Sequence, residues 1–281
     1  MNIKSQKRKK TLTSILIHLF LIVFAIIMLT PFVWMILTAF KTNTEATSVN
    51  PFVIWPEFWR TQSFTDVLHK LDFLILYKNT LLMIVGRIFF ALVTAAMAGY
   101  ALARLDFFGK KVVFMLVLIQ MMVPVQLFII PQYVMISKMD ATNTIFALIF
   151  PGLVTAFGTF LMRQSFMSLP KELEEAARLD GCNIGQTFLY IMLPLTKSSL
   201  IALGIFTALF GFKDLMWTMI VNRSPDAMVL APALAKMQRQ FAPEYPDLMA
   251  ASLIACIPMI IIYLIFQKHF IEGIATSGGK L

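Results

Sequence analysis

The chain has 281 residues; 59% are hydrophobic, only 14% are charged, and the formal net charge is +9. Soluble domains carry about 25% charged residues, so a chain this poor in charge needs lipid around it and reads as one integral membrane bundle. Its basic residues mark the ends of apolar runs instead of forming a separate patch, which argues against a nucleic-acid partner.

Residues 1–10 hold Lys4, Lys7, Arg8, Lys9 and Lys10 and no acid. The apolar run that follows is far longer than the roughly 7–15 residues of a signal-peptide core, and no small-x-small cleavage site follows it. Residues 12–40 are therefore expected as a first, uncut span, with residues 1–11 in the cytoplasm. Pro31 is placed to kink it. Residues 41–76 are mixed and are expected as an extracytoplasmic loop. Phe52, Trp55, Phe58, Trp59 and Phe64 suit the outer interface. A plain connecting loop is preferred there over a surface for an external partner.

A core of five further spans is expected over 77–266. The second span, 77–103, carries Ala91, Ala95, Ala96, Ala98 and Gly99 at helix-packing spacing. A short basic loop, 104–111, fits the inside. The third span, 112–136, holds Pro124 and Pro131, so a bent or broken helix is expected. An outer turn follows at 138–144. The fourth span, 145–164, contains Pro151, Gly152 and Gly158. A long polar interruption, 165–197, comes next. The fifth span is expected at 198–221, an outer loop with one short helix near 231–239 at 222–246, and the sixth span at 247–266. Residues 267–281 form the tail. Six spans that begin inside also end inside, which puts both termini and the interruption in the cytoplasm.

Inside the interruption, residues 169–181 read as a short helix with marked ends. Ser168 is the expected cap, and Pro170 suits the first turn. Glu172, Glu174 and Glu175 lie toward the positive N-terminal end. Glu174 and Arg178 stand four apart in the favourable order. Gly181 is expected to stop the helix in the left-handed conformation. Leu173, Ala176 and Ala177 are expected on one side, where the alanines would let another protein surface come close.

Glu175-Ala176-Ala177, Asp180-Gly181, Phe188 and Pro194 resemble the EAA loop of ABC importer permeases. Leu169-Pro170 and Leu193-Pro194-Leu195 resemble the carbohydrate branch of that family, the maltose-permease type. The resemblance implies an all-α integral membrane protein: six transmembrane helices of the type I importer permease fold, with a cytoplasmic coupling helix. It implies that this helix docks into an ATPase subunit through Glu174, Glu175, Ala176, Ala177, Arg178, Asp180 and Gly181. It further implies four kinds of partner in a bacterial cell membrane. These are a second homologous permease, an ABC ATPase dimer, an extracytoplasmic solute-binding protein, and a sugar or oligosaccharide. Residues 211–217 align loosely with a fifth-span segment of the family but lack its Trp and Asn. Phe270-Ile271-Glu272-Gly273-Ile274 resembles the family's C-terminal end, which reaches back to the ATPase.

No catalytic set is visible. The chain has no Gly-x-x-x-x-Gly-Lys-[Ser/Thr] phosphate loop, so ATP and magnesium are expected on a partner and no cofactor on this chain. No metal is expected either. His18, His69 and His269 lie far apart, the nineteen methionines are scattered, and Cys182 and Cys256 fall on different elements. Charges inside spans are the remaining candidates. A charge at membrane depth costs about 2.5–3.5 kcal/mol or more, so it faces a partner or water. Arg87 and Asp214 fall at similar depth. One reading has both line a translocation path, with Gln120 and Gln126 as added polar lining. The other makes them a static pair between helices, or snorkelling side chains. An ion-gradient transporter, a membrane-embedded enzyme and a permease for a non-sugar such as glycerol phosphate are the alternatives. The first should show inverted repeats, and none is seen.

Overall fold

The computed structural model describes residues 3–49, 52–240 and 244–278, with side chains over 13–49, 52–238, 244–265 and 267. Among the described residues there are helices and no strands. In chain order they are α1 (Ile3–Ala39), α2 (Asn43–Thr47), α3 (Gln62–Lys70), α4 (Phe73–Arg104), α5 (Lys110–Met122) and α6 (Ile129–Lys138). Then come α7 (Ile145–Ile149), α8 (Ala156–Met167), α9 (Glu172–Leu179), α10 (Ile184–Gln186), α11 (Leu193–Leu195) and α12 (Lys197–Lys213). Last are α13 (Met216–Val221), α14 (Leu230–Gln240) and α15 (Tyr245–Gly278). A π-helix, Thr187–Met192, joins α10 to α11.

Three stretches are long and apolar enough to cross a membrane: Thr13–Ala39, Phe73–Arg104 and Tyr245–Ile265. Three bent pairs bring the count to as many as six, if each pair is one span. The pairs are Lys110–Met122 with Val125–Lys138, Ile145–Gly152 with Ala156–Met167, and Ile184–Leu195 with Lys197–Lys213. Their bends are 105°, 47° and 75°.

Each break has a local cause. Val123 is extended because Pro124 disfavours a helical residue before it. Pro131 breaks nothing: it is the third residue of α6, where a helix needs no backbone donor. Thr155 restarts the chain as α8 by accepting the Gly158 N–H at 3.2 Å. The fifth span ends earlier than expected, at Lys213 and not 221. Asp214 leaves the helix with φ −73° and ψ 91°. Its carboxylate and carbonyl then hold the first turn of α13, through the Trp217 N–H and the Thr218 hydroxyl.

The described residues divide into two units, one joining the chain up to Asp72 with Leu234–Ile257, the other joining Phe73–Ala233 with Pro258 onward. In the first, the expected loop holds two helices. Thr42 and Glu45 form a reciprocal capping box on α2. Trp34 stacks on Phe52 at 5.4 Å, and Phe40 touches both Trp59 and Phe64 at 5.2 Å. Lys70 pairs with Asp247 at 2.7 Å and Glu244 at 3.1 Å.

In the second unit α4 is the spine. Ala91, Ala95, Ala96 and Gly99 are buried, as their spacing predicts. They let α8 come close: a Cβ on Gly99 would sit 2.7 Å from the Met162 Cβ and 2.8 Å from the Arg163 nitrogen. One apolar cluster gathers Met83, Ile84, Ile136, Leu148, Trp217 and Val221. Another gathers Ala95, Tyr100, Met162, Phe166, Met192 and Leu203.

Gly99→Leu should overpack this contact and cost about 1–3 kcal/mol or more. Gly204→Ala is the control, since its Cβ meets only Ile88 at an ordinary 3.8 Å. Thermal unfolding of the detergent-solubilised chain should fall for the first and hold for the second.

Candidate functional site

The segment between α8 and α12 is built from both of its ends. Ser168 does not cap α9. It stays helical and closes α8, with its hydroxyl donating to the Ser165 carbonyl at 2.8 Å. Lys171 takes the cap position of α9 without a side-chain bond, and Pro170 stands one residue ahead of it. The other end matches its expectation. Gly181 has φ +83°. Its N–H reaches the Arg178 carbonyl at 3.1 Å, and the Cys182 N–H reaches the Ala177 carbonyl at 2.9 Å. These two bonds are a Schellman stop. A Cβ on Gly181 would meet nothing within 4 Å, so conformation and not space demands glycine there.

Asn183 and Gln186 then exchange two bonds of 2.9 Å in a second capping box. The π-helix follows and turns Phe188 inward. Its ring lies 5.1 Å from Tyr100 and 6.2 Å from Phe166.

The faces of α9 differ from the expected ones. Ala177 is 3% exposed and packs within its own chain. Glu174 turns away from Arg178 and faces Arg104, with Nε and Oε1 3.6 Å apart. Both side chains are largely buried, at 6% and 12% exposure. Glu175, Ala176, Arg178, Leu179 and Asp180 point outward. Leu179 is 90% exposed, on a helix that no span includes. Sequence reading overlooked it, although the signal was present. At about 100° per residue Leu179 falls about 200° from Ala177, an apolar side chain on the polar face. Ile184 and Tyr190 nearby are also exposed. A cavity of about 460 Å³ lies beside α9, lined by Tyr100, Glu174, Arg178, Cys182, Asn183 and Ile184 among others.

Arg87 and Asp214 are brought together. Nη1 lies 2.8 Å from Oδ2, and Nε donates to the Leu148 carbonyl at 2.8 Å. Gly152 makes room: a Cβ there would sit 2.6 Å from the Arg87 Cγ. Arg87 thus joins α4, the α7 segment and the break after α12. Gln120 and Gln126 are exposed on either side of the Val123–Pro124 break. Among the described residues, no hydrogen bond ties either to this pair. No group of three or more metal-ligating side chains occurs among the described residues. The side chains of His269 and of Phe270 to Ile274 lie outside those described.

The family described as binding-protein-dependent transport system inner membrane component matches residues 88–275, more than half of the chain. The chain belongs to that family. It is an inner-membrane transport component, and the motif region from α4 to α15 is the part that its family shares. The chain is 37% identical over 190 residues to the arabinooligosaccharides transport system permease protein AraQ of Halalkalibacterium halodurans, covering 68% of each. It is 27% identical over 265 residues to the diacetylchitobiose uptake system permease protein NgcG of Streptomyces coelicolor, covering 93% of this chain and 87% of that one. In fold it is similar to a chain of a bacterial ABC transporter involved in the import of the acidic polysaccharide alginate. The TM-score there is 0.79 at 23% identity, over 94% of this chain and 98% of that one.

Removing one member of a buried ion pair strands the other, at about 3–5 kcal/mol when fully desolvated. Arg87→Ala and Asp214→Ala should each lower thermal stability in detergent, Arg87→Ala by less than that full cost because Asp214 is 22% exposed. The double variant should lie above the worse single one.

Proposed function

We propose that this permease works as one half of the membrane channel of an ATP-driven importer, with α9 as its coupling helix. A second homologous permease completes the path. An ATPase dimer binds ATP and magnesium on the cytoplasmic side, and an extracytoplasmic solute-binding protein delivers the cargo. The cargo is a sugar or oligosaccharide. The names of the relatives, for arabinooligosaccharides and diacetylchitobiose, support that class. The lysine- and arginine-rich start of the chain supports a cytoplasmic N-terminus.

One observation carries the docking reading. Leu179, an apolar side chain 90% exposed, sits beside Glu175, Ala176 and Asp180 on a short helix with a fixed stop. An isolated apolar side chain on a surface is ordinary, but this one stands at the centre of the motif that names the family's coupling loop. A chain without a phosphate loop must take its energy from elsewhere, and this is the surface through which a motor would push. When ATP closes the ATPase dimer, α9 moves as a rigid body. The motion passes into α8 and α12 and turns the cavity between the permeases from inward- to outward-facing. Arg87 and Asp214 hold the break after α12 along that route. Their path-lining role, with Gln120 and Gln126, is part of this proposal.

Ala176→Arg and Leu179→Asp should reduce the co-purifying ATPase more than tenfold while the second permease stays bound; a lost apolar anchor of about 1.5–3 kcal/mol is worth that much. Ala177→Arg should behave differently, because that side chain is buried: it should lower the amount of folded chain. Retained ATPase in both outward variants would contradict the docking face. Uptake assays with labelled oligosaccharides and with glycerol phosphate distinguish the cargo classes.

A further inference from the structure

We propose that Arg104, Glu174 and Tyr100 form a clamp that fixes α9 to the end of α4, so that movement of the coupling helix passes directly into α4. The proposal rests on the docking role of α9 given above. It makes the three residues positioning residues for transport and takes Glu174 out of the docking face.

The geometry is specific. Arg104 is the last residue of α4. Its Nη2 donates to the carbonyls of Phe166 at 2.6 Å and Leu169 at 2.5 Å. Those carbonyls belong to the end of α8 and the link that leads into α9. A guanidinium suits this place, because a helix C-terminus is negative and the planar fork of donors reaches several acceptors at once. The remaining edge of Arg104 faces Glu174, with Nε and Oε1 3.6 Å apart. Neither of these two atoms has a hydrogen-bond partner besides the other's charge. Tyr100, one turn earlier on α4, lines the same cavity as Glu174. Its ring packs on Phe166 at 5.4 Å and Phe188 at 5.1 Å. One carboxylate of α9 is thus paired with the last side chain of α4, beside the packed Tyr100 ring and in a place only 12% exposed.

Buried charges that depend on one another resist separation, since parting them leaves each desolvated and unpaired. The chain-level links of α9 are softer. On one side is the short connection at 168–171. On the other are the π-helix and the 75° bend before α12. The clamp bypasses both. From Arg104, α4 runs without a break to Arg87, about 26 Å away at 1.5 Å per residue. There it meets Asp214 and the end of α12. A push on α9 therefore reaches the mid-helix ion pair through one rigid helix.

The test uses the assembled transporter in proteoliposomes: this chain, the second permease, the ATPase and the binding protein. Glu174→Gln, Tyr100→Phe and Arg104→Gln are compared with the unaltered chain. Three readouts are taken: co-purified ATPase, ATP hydrolysis, and solute taken up per ATP. The clamp predicts unchanged co-purification and continued hydrolysis. Uptake per ATP should fall about tenfold in Glu174→Gln, which removes one charge of the buried ion pair. Tyr100→Phe, which keeps the ring contacts, should change little. If Arg104→Gln fails to accumulate, Glu174→Gln decides, because it leaves the carbonyl bonds of Arg104 in place. Normal uptake per ATP in Glu174→Gln would overturn the clamp, even if its thermal stability drops. Loss of ATPase from Glu174→Gln would also overturn it, by making Glu174 a docking residue. No ATPase on the unaltered chain would instead sink the docking role of α9 itself.

Discussion

The close approach of α8 to α4 is the contact on which the second unit depends. It exists because α4 presents Ala95, Ala96 and Gly99 to it, residues too small to hold the helices apart. In lipid there is little hydrophobic gain in joining two helices, so association rests on close packing and on shared polar bonds. Both are present here. Gly99 brings the backbone of α8 near enough for Arg104 to reach carbonyls at its end. Arg163 of α8 returns the favour, its Nε donating to the Leu102 carbonyl at 3.3 Å. The end of α4 and the link into α9 become one packed body as a result.

The same constraint explains where the helices may break. Backbone groups freed inside a membrane must find partners in the protein. After α12 they find Asp214, whose own charge is met by Arg87. Near α7 the Leu148 carbonyl accepts from Arg87, and the Ala147 carbonyl accepts from the Trp217 indole at 2.9 Å. Two broken helices are thereby stitched to each other and to α4 by a few polar side chains.

Much of this was readable from the residues alone, and the failures have physical reasons. Spacing of small residues found the buried stripe of α4, because close packing leaves a period in the sequence. Hydropathy found the stretches that the structure forms as long helices or bent pairs. It placed the end of the fifth too late, since Met216 to Val221 is as apolar as the span before it and only Asp214 marks the break. Gly181 was legible because its role is local. Ser168 was not: the choice between capping α9 and finishing α8 depends on how far α8 continues. The partner of Glu174 was also out of reach. A local rule offered Arg178 four residues on, but burial beside α4 favoured Arg104, seventy residues earlier. Leu179 belongs to no motif, and only its position on the charged side of the helix marks it.

The account stands or falls on α9 meeting a motor on the cytoplasmic face. The direct measurement is labelling of a single cysteine at Leu179→Cys, in a chain with Cys182→Ser and Cys256→Ser. Inside-out membrane vesicles are treated with a membrane-impermeant maleimide, with and without the ATPase subunit. The account predicts rapid labelling in stripped vesicles and protection once the ATPase binds. Labelling from the outside of intact cells, or a rate indifferent to the ATPase, would contradict it.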